Sequence, residues 1–374
     1  MKSGKLPPEL LKTFVLGRIS TKRPEVIVHA GLGEDSAVID FGEWACVIST
    51  DPITGARKDA GWLAVHVTCN DVASNGAEPI GVLITVLCPE KLDRDLLLPL
   101  GVDLSGKERA SLHLLMIERI MGDAARAASE LGIEILGGHT EITPGLPQPI
   151  ISATAIGKAP RNRVITSSGA NPGDLLILTK GAGIEGTAIL ASDFERLLKG
   201  ALRPDVVEGA KRFTERISVV KEGLIASKNG ASAMHDVTEG GVLGAIYEMA
   251  EASGVGVEVW VDRIPVAAET KEICDFFSID PMKLISSGSM LISAPKTDPI
   301  LSLLKKEGIE ASIIGRVVPE GRVLIKNGNK ETLYPPESDE LWKAVSGALA
   351  SRESSTHDSS TFESVPGQSY AGRE

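Results

Sequence analysis

Asn70-Asp71-Val72-Ala73-Ser74-Asn75-Gly76-Ala77-Glu78-Pro79 is the stretch that decides how the rest of this sequence reads. Before it lies Gly61 to Ala73, apolar on one face with helical spacing. After it comes Ile80 to Leu87, a continuous apolar run of strand length bounded by Cys88-Pro89. Within it a carboxylate, Asp71, stands among small residues, which leave backbone N–H groups open to a ligand.

The same combination recurs on both sides. Upstream are Ser49-Thr50-Asp51-Pro52, closing the β-prone run from Trp44, and Gly33-Glu34-Asp35-Ser36-Ala37-Val38. Downstream is Gly137-Gly138-His139-Thr140-Glu141, which follows the short apolar strand Ile133 to Leu136. Any one of Asp35, Asp51 and Asp71 reads equally well as a helix cap or turn residue. All three follow strands or start small-residue turns, and that favours joint service. Several carboxylates aimed at one point need a cation between them, and Mg²⁺ with phosphate oxygens fits best. The expectation is a Mg-nucleotide site assembled from separate loops.

Three further runs bear on it. His139 is a candidate general base or hydrogen-bond donor to phosphate, with loop anchoring as the structural alternative. His235-Asp236-Val237-Thr238-Glu239-Gly240-Gly241 precedes an apolar helix. Asp236 or Thr238 could cap that helix, and the same geometry favours an anion. Gly181-Ala182-Gly183-Ile184-Glu185-Gly186 matches GxGxxG after a strand, but the acids near the expected distance, Asp205 and Glu208, lie in a polar segment. A phosphate-contacting or close-packing turn therefore fits better than a dinucleotide fold. Lys180, just before it, is either a phosphate contact or an exposed charge. No GxxxxGK[ST], GxSxG or HExxH pattern occurs.

The chain has 374 residues, 43% of them hydrophobic, enough for two domains with real cores. Lys plus Arg is 39 and Asp plus Glu is 50, a formal charge of −11. That argues against a nucleic-acid or anionic-membrane partner but not against a phosphate, because amides and Mg²⁺ screen locally. Cys46, Cys69, Cys88 and Cys274 have no CxxC spacing and read as buried thiols of a reducing compartment. Met1 to Lys5 is not a signal peptide, and no apolar run approaches a membrane span, so a cytoplasmic protein is expected.

Strands and helices alternate irregularly, which predicts mixed α/β rather than a doubly wound sheet. The Pro-, Asn- and Gly-rich run from Lys158 to Gly173 places a domain boundary near 160, giving domains 1–160 and 161–345. Residues 346–374 read as a disordered Ser-rich tail, and Pro89 to Ser111 as a surface excursion.

Taken together and in order, Gly33–Val38, Ser49–Asp51, Asn70–Pro79, Gly137–Glu141, Gly173–Lys180 and His235–Gly241 resemble the aminoimidazole-ribotide synthetase superfamily. That superfamily also holds thiamine-monophosphate kinase, selenophosphate synthetase, formylglycinamidine synthase and a hydrogenase-maturation dehydratase. The pattern is most similar to the dehydratase branch. The resemblance implies two α/β domains, a homodimer whose N-terminal strands form a shared barrel, and ATP with Mg²⁺ in the cleft. It implies phosphorylation of an amide- or carbamoyl-type oxygen, or another small acceptor, by ATP. On this basis His139, Asp71 and His235 are assigned to the chemistry. Asp35, Ser36, Thr50, Asn70, Gly137, Gly138, Thr140, Lys180, Gly181 and Gly183 are assigned to the nucleotide, and Asp35, Asp51, Asp71, Glu141 and Asp236 to the metal. One departure stands out. The dehydratase branch ends in a cysteine that carries the carbamoyl group, whereas this sequence ends Ser369-Tyr370-Ala371-Gly372-Arg373-Glu374. A non-catalytic nucleotide-binding partner of a maturation complex, or a small-molecule kinase, is therefore kept as the alternative.

Overall fold

The computed structural model describes residues 4–56, 58–92 and 109–348. The first sheet has six strands: β1 (Val26–Val28), β2 (Ala37–Phe41), β3 (Trp44–Ile53), β4 (Glu78–Pro89), β5 (Glu134–Thr143) and β6 (Ile150–Pro160). Their order is β1-β2-β3-β6-β4-β5. β4 and β5 run parallel and every other pair is antiparallel. Alternate side chains of β6 are buried, the mark of a sheet with one covered face. The sheet is open within one chain. The shared barrel expected from the resemblance needs a second copy.

The cover is the Ala60–Ser74 helix. All its residues are buried, polar ones included, so its weak amphipathicity is that of a helix enclosed on every side. On one side packs the Arg109–Leu131 helix, so closely that a Cβ on Gly61 would stand 2.0 Å from the Ile120 carbonyl oxygen. On another lies the second domain. There the Val220–Lys228 helix crosses it, and a Cβ on Gly223 would stand 2.2 Å from the Ala73 carbonyl oxygen.

The second sheet holds β7 (Leu175–Thr179), β8 (Ala233–Asp236), β9 (Gly256–Trp260), β10 (Met290–Ala294), β11 (Ala311–Val318), β12 (Arg322–Lys326) and β13 (Asn329–Thr332). Its order is β13-β12-β9-β11-β7-β10-β8, with only the β9–β12 pair parallel. β8 is the edge strand, and all four of its residues are buried.

The structure moves several expected boundaries. β3 continues through Asp51 to Ile53, held by pairing with β6, so Asp51 is a strand residue and not a strand end. Asp71 sits in the last turns of a helix. Gly137 to Glu141 is not a turn: it lies inside β5, paired with β4 from Leu83 to Leu87. Its two glycines take φ of +147° and +151°, and a Cβ on Gly138 would meet the Ile84 carbonyl oxygen at 1.8 Å. They follow a register shift at which β5 carries one extra residue, Leu136, and there the left-handed φ of both and the close approach of β4 to Gly138 call for glycine. Between the Pro204–Lys211 and Val220–Lys228 helices the chain makes a 3₁₀ turn at Arg212–Arg216. Residues 340–348 are helical, with Leu341, Ala344 and Ala348 buried. The rest of the expected tail, and most of the expected excursion after Pro89, lie outside the described residues. Among the described residues no helix is long and apolar enough to cross a membrane.

Candidate functional site

The Ala60–Ser74 helix ends at the joint between the domains. Asn70 locks it there. Its side-chain amide donates to the Ile217 carbonyl oxygen at 2.8 Å, and its Oδ1 accepts from the Val219 N–H at 2.8 Å. One turn of chain then presents Asp71 to a cavity of about 720 Å³ lined by both domains. Asp35, from the loop before β2, and Asp51, from β3, reach the same cavity from the first domain. His235 and Asp236, at the end of β8, reach it from the second.

Each carboxylate is held differently. Asp35 Oδ2 accepts from Ser74 Oγ at 2.7 Å, and its Oδ1 lies 2.6 Å from His235 Nδ1. The other ring nitrogen of His235 lies 3.0 Å from Glu248 Oε2, and Glu248 in turn pairs with Lys5 at 3.0 Å. Asp71 Oδ2 accepts from Ser49 Oγ at 2.5 Å. Asp236 is 1% exposed, and its carboxylate oxygens face the Asp71 carboxyl with no N–H or cationic donor on them. Ligand atoms of Asp35, His235 and Asp236 all lie within 4.8 Å of one another.

The electrostatics follow from this crowding. Burial, then Asp51 and Asp236, drive the Asp71 carboxyl well above the usual carboxylate range. Burial and Asp35 push Asp236 up to about 8. For His235, burial opposes the charge, but Asp35 and Glu248 outweigh it and hold the ring well above its ordinary value. Burial likewise works against Glu248, yet His235 and Lys5 bring it down to about 2.

The sign of the pH dependence is fixed by these shifts. Between about 4, where an unfolded aspartate titrates, and about 8, the folded chain keeps a proton on Asp236 that the unfolded chain has lost. Stability therefore falls as pH rises through that window. His235, held high, contributes stability that is full below its ordinary value and is lost as pH rises through its folded one, so it has the same sign. We expect the urea midpoint of the chelator-treated protein to be lower at pH 8 than at pH 5, and added Mg²⁺ to remove most of the difference. Equal midpoints at the two pH values in the chelator-treated protein, or an undiminished difference with Mg²⁺ added, would refute this account.

Of the residues expected from the sequence, Asp35, Thr50, Asp51, Asp71, His235 and Asp236 line the cavity. Ser36 stands behind it and donates to the Asp71 carbonyl oxygen at 3.1 Å. Others are placed elsewhere. Asn70 uses its amide on the domain joint. Lys180 is neither exposed nor on the cavity: its ammonium donates to the carbonyl oxygens of Arg216 at 2.9 Å and Ser218 at 2.6 Å, and lies 2.7 Å from Glu222. Gly181 and Gly183 pack against Pro265 and Thr270. Gly137, Gly138, His139, Thr140 and Glu141 lie exposed on β5, where His139 Nε2 is 3.1 Å from Glu141 Oε2, and none of them lines this chain's cavity.

Sequence reasoning missed three cavity or near-cavity groups. Lys5 lies before any recognisable motif. Glu248 sits inside an amphipathic helix, Gly241–Ser253, where an acid draws no attention. Glu185 stands within the glycine-rich run, but it reads as an ordinary first-turn acid. In the structure it is 4% exposed, and burial pushes it up to about 7.

The chain belongs to the AIR synthase related family: residues 33–159 match the model of its N-terminal domain and residues 171–326 that of its C-terminal domain. Within that family it is similar to a hydrogenase expression/formation protein of Methanocaldococcus jannaschii, 30% identical over 86% of this chain and 90% of that one. It is also similar to the carbamoyl dehydratase HypE of Rhodobacter capsulatus, 25% identical over 79% of each chain. In fold it resembles the crystal structure of the hydrogenase maturation protein HypE in complex with ATP. The TM-score is 0.60 with 22% identity, covering 89% of this chain and 96% of that one.

Proposed function

We propose that this protein is an ATP-dependent enzyme that phosphorylates an amide- or carbamoyl-type oxygen, with Mg²⁺ held by the aspartates of the domain joint. One observation carries the reading. Asp236 is a buried carboxylate with no N–H or cationic donor on its oxygens, set beside Asp35, Asp51 and Asp71. Four such groups around one cavity are stable together only protonated or around a cation. Both ring nitrogens of His235 already face carboxylates, Asp35 and Glu248, so the donors left to a cation are carboxylate oxygens, which suits Mg²⁺. Mg²⁺ bound there supplies charge screening for phosphate oxygens.

The chain's own residues then have defined tasks. Ser74 and His235 fix the Asp35 carboxylate, and Ser49 fixes that of Asp71. The Lys5–Glu248–His235–Asp35 chain anchors the N-terminal segment over the cavity and fixes the position of the Asp35 carboxyl. In the reaction the substrate oxygen forms a bond to the γ-phosphorus, the bond from that phosphorus to the bridging oxygen breaks, and ADP leaves with the electron pair. The relatives' names support the amide- or carbamoyl-type acceptor. Cys274 is buried in the Ala268–Phe277 helix and its thiol is pushed up to about 12, so it does not serve as a carrier for the acceptor.

A homodimer belongs to the same reading. β5 is an exposed edge strand carrying Leu136 and Ile142, each 46% exposed, with Ile80 and Leu83 of β4 beside it. An open apolar edge of this kind invites a second copy. His139 and Glu141 would then lie at the interface.

The first test is thermal unfolding with Mg²⁺, with ATP and with both. A ligand that binds only the folded chain stabilises it by RT ln(1 + [L]/Kd), roughly 2.7 kcal/mol at 100-fold excess over Kd. We expect a full shift only when both are present. No shift with both would sink the proposal. A shift without phosphate release under any amide or carbamoyl acceptor would favour the non-catalytic partner instead.

A further inference from the structure

The N-terminal segment reaches the interdomain cavity, where Gly4, Lys5 and Leu11 form part of the lining. The segment lies on the surface: none of its three helical turns, Pro8–Leu10, Leu11–Val15 and Leu16–Arg18, has a buried residue. Two contacts fix where Lys5 stands. Its backbone N–H donates to Glu239 Oε2 at 2.7 Å, and its ammonium lies 3.0 Å from Glu248 Oε1. Gly4 makes this close approach possible. It takes a φ of +107°, and a Cβ there would stand 2.8 Å from Trp342 Nε1.

Charge sets Lys5 apart. Among the described residues, seven acids line the cavity and only two bases, Lys5 and His235. His235 is buried, and both its ring nitrogens face carboxylates, so it has no atom to offer a ligand. Lys5 differs on each count. Its side chain is 49% exposed, and an ion pair so open to water contributes little, so exchanging one anion for another costs little. Nor does its departure strand Glu248, whose other oxygen, Oε2, stays 3.0 Å from His235 Nε2. An ammonium binds phosphate as a point charge and needs no single direction of approach.

A triphosphate in this cavity meets a wall of carboxylates. One Mg²⁺ bridging its oxygens leaves it anionic, with the excess concentrated on the terminal phosphate. That phosphate needs a cation that is free to come to it, and Lys5 is the candidate on the lining.

We propose that Lys5 is the γ-phosphate ligand of this site: when Mg-ATP enters, its ammonium leaves Glu248 for the terminal phosphate, and it returns once only ADP is left. No proton moves in the exchange and no covalent bond forms. The proposal rests on the ATP-dependent reading and adds to it a positive charge that the aspartates cannot supply.

The experiment is calorimetric titration of the full chain, with Mg²⁺ present, by the non-hydrolysable ATP analogue AMPPCP and by ADP. Lys5→Ala should weaken the analogue by about 10-fold or more, the loss of a hydrogen bond to a charged group, and leave ADP within about twofold of the parent. Lys5→Arg keeps the charge and should keep most of the preference for the analogue. Lys12→Ala is the control. It removes the segment's other ion pair, 3.2 Å to Glu251, neither partner of which lines the cavity, and should leave both affinities unchanged. Because Lys5 is half exposed, the ligand-free urea midpoint of Lys5→Ala should match that of the parent. Equal weakening of the analogue and ADP in Lys5→Ala would mean that Lys5 only pins the segment, and overturns the proposal. So does parent-like binding of both nucleotides by Lys5→Ala, or the same selective loss in Lys12→Ala. In each of these cases the parent still binds Mg-nucleotide, and the ATP reading stands. If the parent binds neither nucleotide, both fall.

Discussion

Replacing Asp71 by Asn should make the ligand-free protein more stable and the enzyme inactive. The two effects have one cause. Asp71 is buried against Asp51, Asp236 and Asp35, and burial with those like charges penalises its ionised form. Asn keeps the shape and can still accept from Ser49 through its carbonyl oxygen, but it removes one member of the repelling set. The same removal takes away one of the proposed Mg²⁺ ligands. Loss of one group that stabilises charge in a phosphoryl-type transition state costs about 10²–10³ in rate. The expected result is a raised urea midpoint in chelator, no Mg-dependent component in the ATP thermal shift, and phosphate release down by about that factor. If Asp71→Asn binds Mg-ATP and turns over like the parent, the cation site has been placed wrongly.

Lys180→Met should destabilise the fold severely and leave nucleotide affinity nearly untouched. The ammonium is buried with Glu222, whose side chain is 2% exposed, and it also donates to two backbone carbonyls. Burial lowers its pKa while Glu222 raises it, so the pair is held by mutual need rather than by solvent. Removing one partner of a buried pair leaves the other charge uncompensated and costs about 3–5 kcal/mol. The double variant Lys180→Met/Glu222→Leu should recover most of that loss, because it removes both charges together. Urea unfolding of parent, single and double variants checks the prediction. If Lys180→Met is as stable as the parent but loses ATP binding, the phosphate role read from its position beside the glycine-rich turn would be restored.

The contrast between these two residues shows what the sequence could convey. Asp35, Asp51, Asp71 and Asp236 were legible as cavity residues because the same combination, a carboxylate among small residues next to an apolar run, recurs along the chain, which a single cap or turn does not explain. Lys180 and Asn70 have equally suggestive neighbours, but what they do depends on residues far along the chain: Lys180 meets Arg216 and Ser218, Asn70 meets Ile217 and Val219. No local pattern announces such a meeting. The glycine pair at 137–138 misled in another way. Two glycines normally mark a turn, yet here they relieve a clash between neighbouring strands, a reason visible only once β4 is in place. The alternation into two mixed sheets was legible in outline. The order of the strands was not, since pairing across long sequence distances leaves no local trace.

The Asn70 clamp also bears on how the molecule is made. Asn70 and its partner Ile217 are 147 positions apart. At about 5–20 residues per second, a ribosome takes roughly 7–30 s to deliver the second after the first. Throughout that interval the Ala60–Ser74 helix has no lid over the face that the later domain covers. The nascent first half is thus a natural client for a chaperone that shields apolar helices. Nucleotide cannot rescue it, because half of the cavity has not yet been synthesised. Only the finished chain can answer to ATP, so ligand binding reports completion of synthesis rather than assisting its early stages.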